Sequence, residues 1–199
     1  MADNPSSLFV AGTTRLNSTG SADPLWSPDG SKIAYSRNDS RDIHIINADG
    51  TNEINITNDS SVVDAYPSWS PDGLKIIFMR GSNSIYEMNA DGSGSPTLIR
   101  QGSSPFKYPK YSPDGNTIAY IEQGIFSWSK IITFDAVSGV DRPESPITSS
   151  GIGPDGISSY EYSPDGTQIA FSSNINSLAD VIWPPSTYHI HTVDSGGGN

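Results

Sequence analysis

The chain contains no cysteine, so no disulfide can staple it and no thiolate is available as a nucleophile or metal ligand. Basic residues are scarce: 11 lysines and arginines stand against 22 aspartates and glutamates, a formal net charge of −11. Nucleic acid is bound by releasing counterions from its phosphates onto a basic surface, so this balance excludes nucleic acid as an expected partner, and anionic lipid surfaces with it. No run approaches the ~18 consecutive apolar residues of a spanning helix, so no membrane insertion is expected. The opening MADNPSSLFV has neither a basic n-region nor an apolar h-region, and no signal peptide is visible. The chain also lacks G-x-S-x-G, H-E-x-x-H, a P-loop, an EF-hand-like loop and a G-x-G-x-x-G between strand and helix. No catalytic residue and no cofactor is therefore expected.

Turn formers are plentiful: 19 glycines and 15 prolines in 199 residues point to a turn-rich, all-β protein long enough to bury a sizeable core. One dodecapeptide recurs four times, as PLWSPDGSKIAY from Pro24, PSWSPDGLKIIF from Pro67, PKYSPDGNTIAY from Pro109 and YEYSPDGTQIAF from Tyr160. The four Ser-Pro-Asp-Gly stretches begin at Ser27, Ser70, Ser112 and Ser163, at spacings of 43, 42 and 51. Such a period marks a repeat architecture whose units stack to bury their apolar faces. Within a unit, proline fixes φ, aspartate bonds its own backbone and glycine takes positive φ, which makes each SPDG a tight turn. Asp29-Gly30, Asp72-Gly73, Asp114-Gly115 and Asp165-Gly166 are thereby read as structural turn residues rather than as an acidic site. Short β-rich runs flank each turn, a third run follows (DIHIIN, SIYEMN, KIITFD), and a second tight turn around Asp49 or Asp91 leads to a fourth run (INIT, TLIR). Four short antiparallel strands per repeat make one blade of a β-propeller.

The residues that spell this unit, Trp26 to Gly30 with Ile33-Ala34-Tyr35 and Asn47 to Gly50, together with their counterparts Trp69–Gly73, Asn89–Gly92, Tyr111–Gly115 and Tyr162–Gly166, resemble the PD40, or WD40-like, repeat of TolB-type propellers. The resemblance runs from about Leu8 to Asn199. It implies a single propeller domain over 1–199, with units at about 24–66, 67–108, 109–159 and 160–199. It also implies an interaction scaffold for a protein partner, outside the cytoplasm in the periplasm or extracellular space. Members of that family typically carry six blades, and TolB itself has a further α/β domain that these residues do not contain, so a specific Tol–Pal role is not carried across.

The last unit offers three strands and then SGGGN, while a spare β run, SLFVAGTTRLN (7–17), precedes the first. The expectation is that this leading run supplies the fourth strand of the last blade and closes the ring, abolishing its sheet edges. Three arrangements stay open at this point: four blades closed in one chain, a homo-oligomer whose chains exchange strands, and a segment of a larger propeller.

In a meandering blade the turns joining strands 1–2 and 3–4 share one face of the disc. The 2–3 turns and the links between blades share the other. The SPDG and NADG turns hold their length, whereas the longer connectors, 122–130, 148–160 and 172–188, all belong to the second face. Binding residues collect on loops of a rigid scaffold, and these loops carry Phe126, Trp128, Tyr160, Trp183 and Tyr188, the expected partner-binding residues. The competing reading is that such aromatics fold back and cap the blade ends. Ser177-Leu-Ala-Asp180 resembles a capping box opening a helical turn. His189 and His191 fall on one side of a strand and could hold a metal if a third ligand converged. A carbohydrate-binding or carbohydrate-acting propeller, with Trp128 and Trp183 as stacking platforms, is the alternative function. A strand-exchanging structural subunit is the third.

Overall fold

The structure is a computed structural model and describes residues 15–16, 20–59, 61–124, 129–142, 156–173 and 189–196. Among them there is no helix. Blade one comprises β1 (Ser21–Trp26), β2 (Lys32–Arg37), β3 (Ile43–Asn47) and β4 (Ile54–Asn55), hydrogen-bonded in chain order. Blade two repeats the meander with β5 (Asp64–Trp69), β6 (Lys75–Arg80), β7 (Ser84–Asn89) and β8 (Thr97–Gln101). Blade three contributes β9 (Phe106–Tyr111), β10 (Thr117–Gln123) and β11 (Ser129–Asp135), and blade four β12 (Ile157–Tyr162), β13 (Gln168–Ser173) and β14 (His189–Asp194). Each pairing of named strands is antiparallel. Residues 143–155, 174–188 and most of 7–17, where a fourth strand of blade three, parts of two long connectors and the closing run are expected, lie outside the described residues.

The SPDG turns are built alike. In all four the serine Oγ donates to the aspartate carboxylate at 2.6 Å. The same Oγ accepts the backbone N–H of the residue that opens the second strand, Lys32, Lys75, Thr117 or Gln168, at 2.9–3.0 Å. Glycine ends the turn at φ between 71° and 75°, a region that costs other residues a Cβ clash. Each turn thus satisfies its own polar groups before any partner is met.

The inner strands begin three residues or more upstream of the boundaries read from sequence. Asp23, Tyr66 and Tyr108 adopt left-handed backbone, at φ 54°, 55° and 52°, each immediately before a proline. The ladder shifts register at each of these points, between Ala22 and Leu25, between Ala65 and Ser68, and opposite Ala119 and Ile121. Proline has no N–H to give a ladder, which ordinarily ends a strand. Here a bulge absorbs the proline, and the strand continues back to Ser21, Asp64 and Phe106.

Three apolar cores lie between successive blades. Ala34, Ile43 and Ile45 of blade one meet Trp69, Ile76 and Phe78 of blade two. Ile77 and Ile85 of blade two meet Phe106, Tyr120 and Phe134 of blade three. Ala119, Ile121 and Ile131 of blade three meet Tyr160, Ile169 and Phe171 of blade four. Strand alternation explains the division: Ile76 and Phe78 face one neighbour while Ile77 faces the other, and all three are fully buried. Burying one such side chain stabilises by about 1.5–3 kcal/mol, so stacking supplies what a lone blade cannot. Among the described residues no core joins blade four to blade one. Trp26, which holds in blade one the place of Trp69, is 57% exposed against 6% for Trp69.

Outer strands also touch the next blade's second hairpin turn. A methyl at Gly92 would meet Ile56 Cγ2 at 3.5 Å, and one at Gly139 would meet the Ile99 carbonyl oxygen at 3.6 Å. Gly50 of blade one has the same relationship with Leu16, whose Cδ2 such a methyl would meet at 3.4 Å.

Candidate functional site

Of the aromatics expected to bind a partner, Phe126, Trp128, Trp183 and Tyr188 lie outside the described residues, as does Ser177–Asp180. Tyr160 is placed otherwise than expected. It belongs to β12, is 4% exposed, and its hydroxyl lies 2.7 Å from the carbonyl oxygens of both Tyr108 and Ala119. Burial pushes its phenol well above the ordinary tyrosine value. It is a joint between blades three and four and offers no surface. The connector 122–130 also contracts, because β10 and β11 stay paired out to Gln123 and Ser129 and leave only 124–128 between them.

His189 and His191 stand on one side of β14 with ring centroids 6.5 Å apart. The His191 ring stacks on Phe171 at 5.2 Å and 22°. No set of three His, Cys, Asp or Glu side chains converges for a metal among the described residues. The pair therefore has no third ligand there.

The SPDG aspartates are exposed and held below the usual carboxylate range. For Asp29, the Ser27 hydroxyl, then the Ser31 backbone N–H and hydroxyl, bring the value down to about 2. Serine or threonine bonds depress Asp72, Asp114 and Asp165 in the same way. Between successive turns run clefts of 730 Å³ (blades one and two), 350 Å³ (two and three) and 120 Å³ (three and four).

Blade one differs from its neighbours on the face that carries Trp26. Where blade two places Phe78 and Tyr86, blade one places Tyr35 and His44, stacked at 5.9 Å. Glu53 Oε1 accepts the Tyr35 hydroxyl at 2.7 Å and Arg37 Nη1 at 3.0 Å. His44 Nε2 lies 3.2 Å from Ser40 Oγ, and its Nδ1 lies 3.1 Å from Glu53 without the alignment of a hydrogen bond. Burial, then the Arg37 charge, lowers the His44 pKa. Serine, histidine and glutamate meet here, but Ser40 Oγ already accepts the Asp42 N–H and Glu53 is occupied by Tyr35 and Arg37. Apart from His44 Nδ1, the polar groups of the cluster are taken up by one another.

The inner strands enclose a feature that sequence reading passed over. The bulges of β1, β5 and β9 surround a 150 Å³ pocket lined by Asp23, Pro24, Leu25, Tyr66, Pro67, Tyr108, Pro109 and Lys110. The Tyr66 and Tyr108 rings meet at 4.3 Å with a 54° tilt. Burial first, then Tyr108 and Asp23, push the Tyr66 phenol up. The X-Pro dipeptide repeated at 23–24, 66–67 and 108–109 was the available signal.

The family described as the TolB beta propeller domain (PD40) matches residues 13–174. The chain belongs to the TolB β-propeller family. Solved TolB structures resemble it: TolB from Acinetobacter baumannii superposes with a TM-score of 0.66 at 22% identity, over 91% of this chain and 42% of that one. A TolB-type protein from Agrobacterium tumefaciens gives a TM-score of 0.68 at 26% identity, over 88% of this chain and 62% of that one. A chain of a nidogen/laminin complex shares the fold, with a TM-score of 0.62 at 11% identity over 78% of this chain and 57% of that one. The chain thus spans less than two thirds of the length of these TolB proteins. A comparison with curated proteins finds no match.

Proposed function

We propose that this chain is a non-enzymatic propeller scaffold that binds a protein partner through the connectors of blades three and four. The observation that carries this reading is the contrast between the two faces. The SPDG turns are uniform and bond to themselves, which leaves them little reason to vary or to recognise anything. The meander assigns the 2–3 connectors to the opposite face; that of blade three, 124–128, is as short as blade one's 38–42, that of blade four, 174–188, is the long one, and the two carry Phe126, Trp128, Trp183 and Tyr188. Large aromatic side chains on loops are the anchors from which interfaces draw most of their energy. The net charge of −11 favours a partner with a basic surface. Membership of the TolB family supports a protein partner and a periplasmic or extracellular setting. The test is capture of the partner by the intact chain and by the Trp128→Ala and Trp183→Ala variants. Unchanged capture by both would overturn the reading.

The leading run 7–17 is proposed as the outer strand that completes blade four beside β14. Leu16 supports this, since it meets Gly50 as Ile56 and Ile99, in or beside the outer strands of blades one and two, meet Gly92 and Gly139. A chain closed on itself gives a scattering mass near 21.2 kDa, and strand exchange between copies gives a multiple of it.

A further inference from the structure

We propose that the pocket among the bulges of β1, β5 and β9 binds one cationic side chain, a lysine or an arginine, of a peptide segment. This site shares no residue with the connectors of blades three and four, and it stands or falls independently of the reading above.

The backbone is the first support. In the SPDG turns of this chain every positive φ falls on glycine, which takes it without strain. At Asp23, Tyr66 and Tyr108 the same half of the map is occupied by residues with full side chains, two of them bulky and all three before proline. A left-handed conformation is a true outlier for a bulky residue, and strain of this kind collects at ligand sites. These three share a pocket and sit inside strands, whereas Arg41, Asn52 and Asn58, also at positive φ, lie in connections between strands.

The chemistry is the second support. Two half-buried phenol rings meet at 54°, so they offer no continuous flat platform on which a sugar could stack. What they offer is π density on two sides of a small space, with Asp23 lining the same pocket. Aromatic faces with a carboxylate are the ordinary receptor for an ammonium or guanidinium. Among the described residues Ser36 Oγ is the one hydrogen-bond donor to the Asp23 side chain, at 3.1 Å to Oδ2, which leaves acceptor capacity for a ligand. A cavity of 150 Å³ has the volume of an engineered cavity that holds benzene, enough for one side-chain head. The cation already on the rim, Lys110, is turned to Glu161 and to the carbonyl oxygen of Tyr160. Blade four does not extend the ring of bulges in kind, because Ser159 stands at the matching register shift and Tyr160 replaces the proline.

The test uses the intact chain and two blocked hexapeptides of glycine and serine, one with a central lysine and one with norleucine in its place. The lysine peptide is expected to shift the ring resonances of Tyr66 and Tyr108, and the norleucine peptide to leave them unmoved. Asp23→Asn should weaken the lysine peptide about tenfold or more, since it removes the charge-assisted partner, while asparagine tolerates the left-handed backbone and preserves the fold. Tyr66→Phe and Tyr108→Phe keep the rings and should keep binding. Trp128→Ala and Trp183→Ala should not change it. Equal binding of both peptides, full affinity in Asp23→Asn, or tyrosine resonances that stay fixed under a large excess of the lysine peptide would each overturn the proposal.

Discussion

Trp69 Nε1 donates a hydrogen bond to the backbone oxygen of Leu25 at 3.1 Å, fastening the inner strand of blade two to that of blade one. The repeat puts Trp26 at the matching place, yet Trp26 is 57% exposed and Trp69 6%. The same motif position with opposite burial separates the contribution of the motif from that of its neighbour. Trp69→Ala is expected to destabilise by about 3–5 kcal/mol, the range for a buried large aromatic, and Trp26→Ala by about 0.5 kcal/mol. Urea titration of the two variants checks this, and equal losses would mean that the blade stacking is wrong.

Tyr160 tests the joint between blades three and four. Tyr160→Phe keeps the ring and removes the hydroxyl that lies 2.7 Å from two carbonyl oxygens. Leaving a buried acceptor unpaired costs about 1–3 kcal/mol, so the variant should lose stability of that order and leave partner capture unchanged. A tyrosine that served as a surface contact would give the reverse.

Acid should loosen the turns. Asp29, Asp72, Asp114 and Asp165 are all depressed by serine and backbone donors, Asp29 to about 2 from 3.8. A folded pKa below the unfolded one stabilises above the unfolded value, and that stability is lost as pH falls through the folded value. The loss is therefore expected from about pH 4 down to about pH 2. Thermal melts across this window should fall steadily for the parent chain. They should fall less steeply when all four aspartates are replaced by asparagine.

The buried Asp64 and the half-buried Arg80 pair through two hydrogen bonds, at 2.8 and 2.7 Å. Burial pushes the Asp64 carboxyl up, and the Arg80 fork opposes it. Asp64→Ala strands a mostly buried guanidinium and should cost about 3–5 kcal/mol. Replacing both residues by apolar ones of similar size should recover most of that loss. A double-mutant cycle in chemical denaturation checks both statements.

Much of the blade was legible because turn chemistry is local. Ser70, Pro71, Asp72 and Gly73 prescribe one hairpin whatever surrounds them, and the alternation of Ile76, Ile77 and Phe78 prescribes two buried faces. What was illegible depends on neighbours. Pro67 reads as a strand break until the bulge at Tyr66 is seen to absorb it. Tyr160 reads as a loop aromatic until blade three is placed against it. The two tryptophans of the repeat are indistinguishable in sequence, since only the adjoining blade decides which is covered. The pocket of Asp23, Tyr66 and Tyr108 draws one residue from each of three repeats; the repeated X-Pro marks the positions, and only the stacking of the inner strands brings them together.

The central claim is that recognition belongs to the connector face and not to the SPDG face. Photo-crosslinking residues placed singly at positions 128 and 183, and at 72 and 114 on the opposite side, test it most directly. The account predicts covalent capture of the partner from 128 and 183 and none from 72 and 114. Capture from 72 and 114 alone would contradict it.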